Sequence, residues 1–91
     1  MNNKFSLFYS SSFELKLKGI CKRNKGYCRR IEEKILFIRK EPQAGKPLGN
    51  IPGDLRRIHA GHNVIIYETD YENRNIILIN INHYERVYIQ K

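Results

Sequence analysis

Between Gly53 and Tyr67 the chain alternates in a way that leaves few folds open. Leu55-Arg56-Arg57-Ile58-His59 runs through Ala60-Gly61-His62-Asn63 into Val64-Ile65-Ile66-Tyr67. Two such segments joined by a short glycine-containing connection read as a β-hairpin. Side chains on a pleated strand alternate between faces, so Arg57 and His59 share one face while Ile58 points to the other. The hairpin thus offers paired cationic groups on a rigid platform, with His62 at the adjoining turn. The remaining chain has to support and cover it.

Upstream, Phe5, Leu7 and Tyr9 alternate with Lys4, Ser6 and Phe8, which predicts a short first strand. Ser10-Ser11-Ser12 follows. A serine hydroxyl satisfies an orphan backbone N–H at a helix start, and Phe13, Leu17, Ile20 and Cys21 then recur at helical spacing, predicting a helix from Phe13 to Arg23. Asn24-Lys25-Gly26 supplies turn chemistry. Tyr27, Ile31, Ile35 and Ile38 then fall on one face of a second helix, closed by Pro42. A joint of a few residues makes the two helices an antiparallel hairpin.

From Glu41 to Gly53 the chain holds all three prolines and three of the six glycines, and no regular element is expected there. Strands are expected at Leu55–His59, Asn63–Thr69 and Ile76–Asn82, joined as an antiparallel meander. Ile76 to Ile79 is apolar on both faces, the mark of a central strand. Val87-Tyr88-Ile89 has the composition of a short final strand. The order β-α-α-β-β-β over 91 residues describes one α+β domain, a helical hairpin layered on an antiparallel sheet.

The charge is unevenly spread. Residues 15–46 hold eleven Lys and Arg against three Glu, so this third of the chain carries the whole net charge of +8. A cationic field confined to one segment points to a polyanion such as nucleic acid, or to an acidic protein. The plainer reading is a solvated helical face that keeps the chain soluble. No apolar run approaches the roughly 20 residues needed to cross a bilayer. Met1 to Ser10 alternates too often with polar residues to be a signal-peptide core, so a cytoplasmic protein is expected.

Cys21 and Cys28 stand alone at a spacing that is not a metal-binding one, and two reduced thiols are the default expectation. A disulfide stapling the helical hairpin is the alternative. His59, His62 and His83 have no carboxylate placed with them, so no metal site is read there. With no Walker loop, dinucleotide fingerprint or nucleophile elbow, no cofactor is expected.

Three stretches together carry a resemblance. Lys46-Pro47-Leu48-Gly49, then Leu55 through Glu68, then His83-Tyr84-Glu85-Arg86-Val87-Tyr88 resemble, in order and spacing, the RelE/ParE superfamily of small toxins from toxin–antitoxin pairs. The resemblance covers nearly the whole chain. For the RNA-cutting branch it implies endonucleolytic cleavage of messenger RNA at the ribosome, inhibition of translation, and restraint by a cognate antitoxin. That antitoxin would be acidic and partly helical, in assemblies as large as a heterotetramer.

Such cleavage needs a base for the ribose 2′-hydroxyl, cations for the developing phosphorane, and an acid for the leaving oxygen. The family's positions fall on Arg57 and His59, on His83 and on Tyr88, and Arg86 is the residue expected to substitute for the arginine the family carries beside His83. The RNA contacts expected are Lys22, Arg23, Lys25, Arg29 and Arg30 on the helices, Lys46 in the loop, Arg56 and His62 on the hairpin, and Tyr84. Two positions depart from the pattern. The family's arginine early in the third strand is Val64 here, and the arginine beside His83 is Tyr84. These losses favour a second reading, a ParE-like toxin that arrests DNA gyrase without cutting anything. A third is an inactive partner of an antitoxin, whose helices contact operator phosphates.

Overall fold

The computed structural model describes residues 4–49 and 53–83. In chain order these form β1 (Ser6–Tyr9), α1 (Ser11–Arg23), α2 (Lys25–Lys40), β2 (Lys46–Pro47), β3 (Asp54–Ala60), β4 (Asn63–Asp70) and β5 (Asn75–His83). The segment expected as a final strand, Val87–Ile89, lies outside the described residues.

Helix α1 starts inside the serine cluster, at Ser11, two residues before the expected Phe13. The Ser10 hydroxyl oxygen accepts the Phe13 N–H at 3.0 Å and donates to the Ile79 carbonyl at 2.6 Å, so a single side chain caps the helix and fastens it to the sheet. Three residues of turn were expected between the helices, yet the joint is Asn24 alone. In an extended conformation (φ −153°, ψ 102°), its N–H closes α1 on Ile20 and its side chain caps α2 by accepting the Tyr27 N–H. Asparagine can serve both ends at once, which brings Lys25 and Gly26 into the helix.

That tight joint sets the last turn of α1 against the first turn of α2. Cys21 and Cys28 meet there in a disulfide, their Cα atoms 4.6 Å apart. The expectation of two reduced thiols is thereby corrected. It rested on cellular compartment, whereas the pairing follows from the geometry of the hairpin.

The sheet order is β1-β5-β4-β3-β2. It is mixed rather than wholly antiparallel: β1 runs parallel to β5, with Leu7 opposite Ile76 and Tyr9 opposite Leu78. Both helices intervene before the chain returns, and that long connection permits a parallel neighbour. The middle strand is β4, with β5 between it and β1. The loop expected to be irregular contributes β2, paired through Lys46 to Arg57 and Pro47 to Arg56. Proline is tolerated because β2 is an edge strand and owes no N–H to a further neighbour.

Between Ile66–Asn80 and Tyr67–Leu78 the β4–β5 register skips Ile79, which forms a bulge. Ile81 therefore faces the core together with Leu78 although the two lie an odd number of positions apart. The core is filled by Phe13, Ile31, Ile35 and Ile38 from the helices against Ala60, Ile65, Tyr67, Ile76, Leu78 and Ile81 from the sheet. Tyr67 ties the loop to this core: its hydroxyl donates to the Pro42 carbonyl at 2.8 Å and accepts the Gly45 N–H at 2.9 Å. No helix among the described residues is long and apolar enough to cross a membrane.

Candidate functional site

Strand β3 distributes its side chains as the alternation predicts. Partners directly opposite in antiparallel pairs project from the same face, so the register builds rows across the sheet. Lys46, Arg57, Ile66 and Asn80 form one row; His59, Val64 and Asn82 form the next. Both rows lie on the face away from the helices. Among the described residues, no strand pairs with β3 beyond Arg57 on its outer edge. A concavity wraps that edge, bordered by Lys46, Arg57 and His59 and by Lys34 from α2.

Val64, at the position where the family carries an arginine, is fully buried yet stands outside the helix-side core. It gives His59 an apolar cross-strand neighbour on the face away from the helices.

The opposite face receives Arg56. Its Nε donates to Asp54 at 2.9 Å and its Nη1 to the carbonyls of Gly45 and Gln43 at 2.7 and 3.1 Å, so it clamps the loop to β3. Three acceptors already engage the guanidinium, which leaves it little to offer a phosphate.

His83 is likewise apart from Arg57 and His59. It pairs with Asn63, whose other neighbour is Ala60, and that row faces the helices. There it lies near His62, the two rings 13° from parallel with centroids 6.4 Å apart. A second cleft opens at this end, bordered by Arg23, Tyr27, His62, His83 and Lys16. Lys16 reaches from α1 to the side-chain oxygens of Asn80 and Asn82 at 2.9 and 2.6 Å.

The fixed point of this cleft is Tyr27. Its hydroxyl accepts from the His62 N–H at 2.7 Å and the Asn63 side chain at 2.8 Å, and donates to the Ala60 carbonyl at 2.9 Å. Gly61 sits beneath the ring at φ +64°, where any Cβ would enter the ring itself.

Of the expected contacts, then, Lys46, Arg57 and His59 come together, and Arg23 joins His62 and His83 in the second cleft. Lys22, Lys25, Arg29 and Arg30 are exposed around the tip of the helical hairpin. Tyr84, Arg86 and Tyr88 lie outside the described residues. Sequence reasoning did not single out Lys34 or Tyr27. The first was hidden in a basic run, and the second sat on a helical stripe that read as core.

Residues 7–88 match the family model of the ParE toxin of the type II toxin–antitoxin system parDE. No curated protein matches the sequence. Among solved structures, the archaeal RelE–RelB complex from Pyrococcus horikoshii OT3 is similar at 18% identity, with 90% of this chain and 97% of that chain covered and a TM-score of 0.75. The isolated E. coli RelE toxin is similar at 16% identity, with 93% and 89% covered and a TM-score of 0.73. The chromosomal ParDE system from P. aeruginosa is similar at 13% identity, with 90% and 98% covered and a TM-score of 0.70. At these identities the likeness is one of fold, two helices on a five-stranded mixed sheet.

Proposed function

This chain belongs to the ParE toxin family within the RelE/ParE superfamily of type II toxin–antitoxin toxins, and we propose that it is a metal-independent endoribonuclease that cuts messenger RNA at the ribosome. The observation that carries the reading is the placement of Lys46, Arg57 and His59 on one face of the sheet. An imidazole can take a proton from a ribose 2′-hydroxyl, which Arg cannot do. Arg57 and Lys46 beside it offer charge to the pentacoordinate phosphate as negative charge builds. Arg86 and Tyr88 are assigned as a further cation and as the acid for the leaving 5′-oxygen.

A cytoplasmic setting and a cognate antitoxin complete the proposal. RelE of Pyrococcus horikoshii was solved as a complex with RelB, and the P. aeruginosa system as ParDE. The cationic helical hairpin suits an acidic antitoxin whose helix lies along it, up to a heterotetramer. Mapping cleaved transcripts after expression tests the activity. Arg57→Ala and His59→Ala should each lower cleavage by about 10²–10⁴-fold, and intact messenger RNA during growth arrest would overturn the reading.

A second reading, gyrase arrest without cleavage, is favoured by one observation: buried Val64 occupies the family's arginine position. Inhibited supercoiling with RNA left whole would decide for it.

A further inference from the structure

The Cys21–Cys28 disulfide stands next to the residue that holds the His62 turn. Cys21 lies in the last turn of α1 and Cys28 in the first turn of α2, directly after Tyr27. That first turn is weak without the disulfide. It contains Gly26, the poorest helix former after proline, and no acidic residue to meet the helix dipole. Lys25 within it, and Lys22 and Arg23 in the turn before, set positive charge against the positive end of the helix. What Tyr27 fixes depends on that turn: the His62 N–H, the Asn63 side chain and the Ala60 carbonyl all bond to its hydroxyl.

We propose that Cys21–Cys28 is a reversible thiol–disulfide modification site whose state is transmitted through Tyr27 to the turn carrying His62 and Asn63. Both cysteines are half-buried, and Cys21 borders a groove between the helices with Glu32, Leu17 and Leu36, so a small thiol has access. A dithiol reductant supplies the electrons. One of its thiolates attacks the Cys21 sulfur, the S–S bond breaks, and the electron pair leaves on Cys28, which takes up a proton. The reductant's second sulfur then displaces Cys21. Two electrons pass to the protein, which gains two thiols, and the reductant becomes a disulfide.

Reduction thus removes the covalent tie across the joint and lets the first turn of α2 fray. The Tyr27 hydroxyl loses its place, and the His62 turn loosens while the core strands stay paired. This inference goes beyond the proposed activity and does not depend on whether the toxin's target is RNA or gyrase.

The test is amide hydrogen exchange on the full chain, oxidised and then reduced with dithiothreitol. Alkylation and mass measurement confirm the thiol count in each sample. The His62 amide should exchange at least about fivefold faster after reduction, and equally fast in Cys21→Ser under oxidising conditions. The Ile65 amide, in the core of β4, should not change. In Tyr27→Phe the His62 amide should be fast in both redox states.

Equal His62 exchange in oxidised and reduced wild type overturns the proposal. So does a redox difference that survives in Tyr27→Phe, or two free thiols in protein purified in air. Because the readout is structural, an inactive toxin that shows the redox effect counts against the ribonuclease reading alone.

Discussion

Two aromatic hydroxyls do work at the residue scale that no apolar side chain could replace. Tyr67 is buried, and burial pushes its hydroxyl above the ordinary tyrosine range, with the Gly45 N–H partly opposing that shift. A raised folded value means that the stability it contributes is complete below the ordinary tyrosine value of about 10 and is lost as pH rises through the folded value. Alkaline unfolding followed by tyrosinate absorbance should therefore include ionisation of Tyr67, and Tyr67→Phe should remove that contribution. The same variant leaves the Gly45 N–H and the Pro42 carbonyl unpaired, which should lower stability at neutral pH by about 1–3 kcal/mol in denaturant titration. Gly61→Ala should cost at least as much, about 1–3 kcal/mol for the left-handed backbone alone, because the new methyl also meets the Tyr27 ring. At this scale the sequence was partly legible. Glycine at a hairpin turn was readable from position 61, whereas the aromatic ring above it comes from a helix 34 residues upstream, by the sequence numbering of Tyr27 and Gly61.

Among the elements, the junction of β1, α1 and β5 is the most informative. Past Leu78 the edge of β5 is no longer paired to β1, and the residue that caps α1 fastens to it through the Ser10 hydroxyl. Ser10→Ala should lower stability by about 1–2 kcal/mol, since it removes a cap and a sheet anchor together. The bulge at Ile79 leads to a sharper expectation. Deleting Ile79 removes the extra residue and leaves Leu78 and Ile81 on the core face, so the chain should still fold, as circular dichroism and cooperative melting would show. The run Ile76 to Ile79 was legible as an interior strand. The bulge was not, because four consecutive apolar residues conceal which of them is extra.

Over the whole molecule, the net charge of +8 gathers on the helices and the loop after them, and four of its exposed members, Lys22, Lys25, Arg29 and Arg30, surround the hairpin tip. Replacing these four with serine should flatten the salt dependence of binding to RNA or to an acidic antitoxin while changing folding stability little, because exposed charges contribute little to it. A salt slope equal to wild type would show that binding does not use this field. The helices, the strand hairpin, the shared face of Arg57 and His59, and the location of the charge are all written in the local order of residues. Each of these depends on short-range periodicity or on composition, and neighbouring residues suffice to set them. The folded arrangement of the chain was needed to show that β1 runs parallel to β5, that Cys21 meets Cys28, and that Arg56 clamps a loop. It likewise placed His83 on the face opposite His59. These outcomes depend on register and on contacts between distant segments, such as Ser10 with Ile79 across 69 positions. A one-residue change of register inverts a face, and no local pattern records which register the folded chain adopts.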